Sequence, residues 1–235
     1  MKLHNASVLI TGANRGIGLA FAREALARGA CKVYAGARNP ASVTLPGVEA
    51  LALDVNSPEQ VAAAARHAGD VTLVINNAGI AELGSFLGDD SIDSARRHMD
   101  TNFFGVLRVS QAFAPVLAAQ GGGAILNVLS VASWINSPLL AVYGASKSAA
   151  WALTNGLRND LRAQGTQVLG LHMGFVDTDL TSGLDMPKSS PEAIVRRAFD
   201  ALEAGAEEVL GDELTQQVKL GLSAEPGIYL RDARA

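Results

Sequence analysis

Short β-branched apolar runs alternate along this chain with longer stretches in which apolar residues recur at helical spacing. The runs predict strands at Ser7–Thr11, Lys32–Gly36, Val48–Leu53, Leu73–Asn76, Ala124–Ser130, Gln167–Met173 and Glu208–Leu210. The periodic stretches predict helices near Gly16–Arg28, Pro58–His67, Ile92–Ala119, Ala141–Ala163 and Pro191–Ala204. Runs such as "LVIN" and "VLGLHM" lack polar alternation, which suits strands buried on both faces of a parallel sheet. The βαβα order gives an α/β class and a doubly wound sheet with helices on both sides. No repeat or linker divides residues 1–235, so they read as a single domain. "PKSSP" lies in an expected mobile lid near 179–191, and a short helix with an apolar tail is expected near 212–235.

Composition narrows the class. Apolar residues are 49% and charged residues 18% of the 235, which is a globular balance. The net charge of −4 argues against a nucleic-acid footprint. No apolar run approaches the roughly 18–20 residues of a membrane helix, so a soluble, cytoplasmic protein is expected. Cys31 is the single cysteine, and the four histidines have no metal-like spacing; no metal site is expected. His172 reads as structural.

The first candidate chemistry is "TGANRGIG" after the first strand. Gly12 can make the sharp turn, Gly16 lets backbone approach a pyrophosphate, and Gly18 allows the helix to pack on the strand. Amides at the helix N-terminus favour an anion there, and the missing Gly-Lys-Ser/Thr disfavours a nucleotide hydrolase. About 20 residues later, where an NAD site carries a carboxylate, the chain has Ala37 and then Arg38. A guanidinium at that place, with Arg15 in the glycine turn, favours the 2′-phosphate of NADP(H) over NAD(H).

The second is "YGASK". A spacing of four puts Tyr143 and Lys147 on one helix face. An ammonium beside a phenol is expected to lower its pKa and make it a proton relay. Ser130 ends a strand, Asn102 is a polar amide within an amphipathic helix, "NNAG" at 76–79 is small enough for a cofactor, and Asp54 suits an adenine amino group.

In this order and spacing, "TGANRGIG", "NNAG", Asn102, Ser130 and "YGASK" resemble the short-chain dehydrogenase/reductase family, over about Ser7 to Thr178. The resemblance implies a Rossmann-type fold with a seven-stranded parallel sheet, a nicotinamide dinucleotide and an Asn-Ser-Tyr-Lys tetrad. Tyr143 would be the acid/base, Lys147 would lower its pKa and bind the nicotinamide ribose, Ser130 would orient the carbonyl, and Asn102 would hold a relay water. The cofactor would lie along Gly12, Asn14, Arg15, Gly16, Ile17, Gly18, Arg38, Asp54, Val55, Asn77, Ala78, Gly79, Tyr143, Lys147, Gly174, Val176 and Thr178. One departure is Met173, where the family usually has proline before Gly174; the other is the C-terminal region.

These residues predict an NADPH-dependent carbonyl reductase, reversible as an alcohol dehydrogenase. A silent dinucleotide-binding regulator is disfavoured by the intact tetrad, and a dehalogenase by Lys147 and the glycine turn. Ile80, Val131, Trp134, Leu139, Phe175, Leu180, Leu184 and Met186 are expected to form an apolar wall for an uncharged ketone or aldehyde. A homodimer through the two long helices is expected ahead of a tetramer.

Overall fold

The computed structural model describes residues 1–230; the last five residues of the expected C-terminal tail lie outside that range. Seven parallel strands form one sheet: β1 Ser7–Thr11, β2 Lys32–Ala37, β3 Glu49–Ala52, β4 Leu73–Asn76, β5 Ala124–Val128, β6 Gln167–His172 and β7 Glu208–Leu210. Their spatial order is β3-β2-β1-β4-β5-β6-β7. β1 and β4 are buried at every position, whereas the edge strand β3 alternates half-buried and exposed residues.

Helices cover both faces. α1 (Gly16–Ala27) and α6 (Pro191–Glu203) bury Phe21 against Phe199, with ring centroids 5.3 Å apart, over Val8 and Ile10 of β1. On the other face α2 (Pro58–His67), α4 (Val106–Ala119) and α5 (Ala141–Asp160) bury Val61, Phe113 and Leu157 over Leu9 and Ile125. Adjacent residues of β1 thus feed opposite cores, as strand geometry requires. The order of connection reverses between β1 and β4, and such a switch point opens a crevice at the strands' carboxyl ends.

The long helix expected over Ile92–Ala119 is instead three pieces. α3 (Ser91–Met99) widens into a π-helical segment at Asp100–Gly105 before α4 resumes. The wide segment carries Asn102, whose amide is engaged across the crevice rather than in the helix. Similarly, α5 stops at Asp160 and a tight turn at Arg162–Gln164 leads to Gly165 in the left-handed region. A short α7 (Glu213–Gly221) follows β7. Among the described residues no helix is long and apolar enough to cross a membrane.

Candidate active site

Two strand ends are laced together at the switch point. The Thr11 hydroxyl accepts from the amides of Asn77 and Ala78, both at 3.0 Å. Asn77 Nδ2 donates to the carbonyls of Thr11 (2.9 Å) and Gly12 (3.1 Å). Gly12 and Gly16 take φ of +68° and +55°, a region costly for side chains with a Cβ. Gly18 lies so close to Gly12 that a Cβ there would fall within 2.8 Å of its carbonyl carbon. Arg15 precedes α1 in extended conformation and makes no side-chain cap, so the first amides of that helix face the crevice uncapped.

The crevice is a cleft of about 480 Å³. Gly12, Asn14, Arg15, Gly16, Ile17, Arg38, Asp54, Val55, Asn77, Ala78, Gly79, Tyr143, Lys147 and Thr178 all stand on its wall. Gly18 and Val176 are buried, and neither they nor Gly174 stand on that wall. Arg15 pairs with Asp179 at 3.2 Å, both side chains largely exposed, while Arg38 is exposed and makes no ion pair among the described residues. Ala37 is buried, so the end of β2 presents no carboxylate.

Tyr143 and Lys147 do share one face of α5. Lys147 is buried, donates to the Val128 carbonyl at 2.8 Å, and stands 5.8 Å from the centre of the Tyr143 ring. Burial pulls its pKa down to about 8, which leaves it mostly protonated at neutral pH. The expected lowering of the Tyr143 pKa is not seen: burial raises it, and a hydrogen bond with Ser130 opposes that rise. The phenol is therefore the standing form at neutral pH. The reason is burial: the phenolate would lose more hydration than the Ser130 bond returns.

Ser130 is buried, accepts from the Ala132 amide at 3.1 Å, and its side chain meets Tyr143. Asn102 braces the crevice wall. Its Oδ1 accepts from the Ile80 amide (2.9 Å), and its Nδ2 donates to the Ile80 carbonyl (3.0 Å) and to Ser146 Oγ (2.9 Å). Gly79 is wedged beside it: a Cβ there would sit 3.1 Å from Asn102 Oδ1 and 3.8 Å from Lys147 Nζ.

The expected apolar wall is only partly assembled, with Ile80 and Leu180 on the cleft and Leu139 and Met186 exposed. Trp134 is not on the cleft wall and stacks on His172, centroids 3.8 Å apart. His172 is fully buried with its pKa pulled down to about 4, and its Nδ1 lies 3.2 Å from the Ser130 carbonyl.

Two residues near the site were not singled out from sequence. His98 packs edge-on to Tyr143 at 6.3 Å and accepts from the Glu82 amide at 3.1 Å, pinning the loop after β4. Asp212 reaches the Gly174 amide at 2.6 Å. Neither belongs to a local motif, although Asp212 at a helix start is a recognisable cap.

The geometry is that of a dinucleotide crevice with a phenol and an ammonium at its reacting end. The family model for the short chain dehydrogenases matches residues 6–188. The chain is a short-chain dehydrogenase/reductase. Within that family it is 34% identical over 226 residues to the gluconate 5-dehydrogenase of Gluconobacter oxydans, covering 89% of this chain and 86% of the relative. It is 33% identical over 204 residues to the 1-deoxy-11-beta-hydroxypentalenate dehydrogenase of Streptomyces exfoliatus, covering 81% and 74%. Among solved structures, a short chain dehydrogenase from Burkholderia cenocepacia in complex with NADP superposes with a TM-score of 0.94 at 36% identity, over 99% of this chain and 100% of that one. The gluconate 5-dehydrogenase of the same organism, in complex with NADP and tartrate, gives 0.84 at 26% identity over 92% and 97%. This short-chain dehydrogenase/reductase is thus an oxidoreductase that works with a nicotinamide dinucleotide.

Proposed function

We propose that the chain reduces a ketone or aldehyde with NADPH, and oxidises the alcohol in the reverse direction. The observation that carries this proposal is one continuous cleft with Arg38 on one side of the switch point and Tyr143 with Lys147 on the other. Arg38 and Arg15 offer two guanidiniums to a 2′-phosphate, and buried Ala37 offers no charge to repel it. The Burkholderia relative that binds NADP supports the same preference.

The residues present fit the dinucleotide. Its pyrophosphate suits the uncapped start of α1, where Gly16, at a φ of +55°, brings backbone without a side chain to the cleft wall. The bound dinucleotide supplies or accepts the hydride. Tyr143, held as the neutral phenol by burial, gives its proton to the carbonyl oxygen. Ser130 donates a hydrogen bond to that oxygen and orients it. Lys147 would hold the nicotinamide ribose, and its charge, which the bond to Val128 leaves intact, stabilises the phenolate left behind. Asn102 has both amide protons committed, so its remaining acceptor capacity is what serves a water relaying protons from Lys147. Residues 179–191 act as the substrate lid, attached through the Val176–Ser189 bridge. α4 and α5 supply the homodimer face.

The absorbance of the reduced nicotinamide, followed against a panel of ketones and aldehydes, tests the proposal. Wild type should consume NADPH with at least one of them. Tyr143→Phe should lose roughly 10² to 10⁴-fold in turnover with NADPH binding retained. Substantial turnover by that variant would remove Tyr143 from its role.

A further inference from the structure

The turn after β6 has an unusual support. It runs from Met173, whose carbonyl accepts from the Val131 amide at 2.8 Å next to Ser130, to Thr178, which stands over Gly16. It therefore spans the wall between the reacting end and the phosphate turn. The nicotinamide must lie along that half of the cleft if its hydride is to pass near Tyr143. Neither Met173 nor Gly174 has a ring to hold its φ, so the turn has to be held from outside.

The carboxylate of Asp212 does this from the far side. Its Oδ1 caps α7, accepting from the Thr215 amide at 2.8 Å, while its Oδ2 accepts from the Gly174 amide at 2.6 Å. Each oxygen has its own work, and the second reaches out of the helix across 38 positions of sequence. α7 is pressed against the same point: a Cβ on Gly174 would come within 2.9 Å of Leu214 and 3.2 Å of Asp212 Oδ2. The Gly211 amide donates to the His172 carbonyl at 2.7 Å, fixing the residue just before the turn. Lys219, farther along α7, lies 4.8 Å from the Trp134 ring.

We propose that Asp212 is a positioning residue for the nicotinamide half of the cleft, acting through the Gly174 amide. The proposal rests on the dinucleotide function set out above. A charged acceptor on a backbone amide is among the stronger hydrogen bonds. It locks the Met173–Gly174 turn at the height at which the nicotinamide ring docks.

Asp212→Ser separates the two tasks. Serine is a good helix cap, so α7 keeps the bond from Thr215, but its single short oxygen cannot also hold Gly174. Binding is read from the fluorescence of NADPH, and compared with adenosine 2′,5′-bisphosphate, which carries the phosphate end and no nicotinamide. The variant should raise the Kd of NADPH by about tenfold, the order expected for losing one charge-assisted bond. The bisphosphate should bind as before and the thermal midpoint should stay within a few degrees. An unchanged NADPH Kd overturns the proposal. So does an equal loss for both ligands, which would make α7 mere packing. Asp212→Thr, another cap with a single oxygen, gives the same readings should the serine chain fail to fold. If wild type binds neither ligand, the dinucleotide function itself falls, and that result is distinct from the other two.

Discussion

Replacing glycine by alanine within a helix ordinarily stabilises it by about 1 kcal/mol, because alanine has less backbone freedom to lose. At Gly18 the sign should reverse. A Cβ there would sit 2.8 Å from the Gly12 carbonyl carbon, closer still to its oxygen, and 2.6 Å from Asn77 Nδ2. Ordinary contact begins near 3.4 Å, so the start of α1 would have to withdraw by roughly 1 Å from a fully buried strand end. Overpacking of this kind costs about 1–3 kcal/mol, and here the obstacle is backbone that cannot rotate away. With the helix-propensity gain set against the upper end of that range, which a backbone clash this close warrants, a net loss of about 2 kcal/mol is expected, or roughly 4–8 °C in thermal midpoint for a chain of this size. Gly156 in α5 is the control, since nothing lies within 4 Å of a Cβ at that exposed position. Gly156→Ala should raise the midpoint by roughly 2–4 °C. Differential scanning calorimetry on the three proteins reads both signs. The withdrawn helix should also bind NADPH more weakly, because its first amides move away from the phosphates. A Gly18→Ala chain as stable as wild type would refute the close-packing argument for this turn.

Other predictions follow from the same geometry. Arg38→Ala should raise the KM for NADPH far more than that for NADH, and Ala37→Asp should push the preference further toward NADH; steady-state kinetics with both coenzymes checks this, and a wild-type preference for NADH would contradict it. His172 should make stability depend on pH. Its folded pKa of about 4 lies below the ordinary 6.5, so the unfolded chain binds a proton that the folded chain refuses. Its contribution is complete above pH 6.5 and is lost as pH falls toward 4, and urea denaturation should show a shallower loss over that window in His172→Gln. Light scattering at low micromolar concentration should give a dimeric mass if α4 and α5 form the contact; a monomeric mass would remove those faces from consideration.

Much of the architecture was legible along the chain, because strands buried on both faces and helices with one apolar side are local patterns. The strands and the starts of α1, α2 and α6 lie within two residues of where periodicity put them. The glycine turn and the Tyr143–Lys147 pair were legible for the same reason: φ and i,i+4 spacing are properties of neighbours in sequence. What tertiary structure alone decided was the result of contacts between distant segments. The long helix breaks into a π-helical segment where Asn102 is drawn to Ile80. Trp134 leaves the cleft for His172, and Asp212 closes on Gly174. The direction of the Tyr143 shift belongs here too. Spacing showed that an ammonium shares its helix face, but a pKa sums every surrounding group, and the burial that raises this one comes from segments distant in sequence.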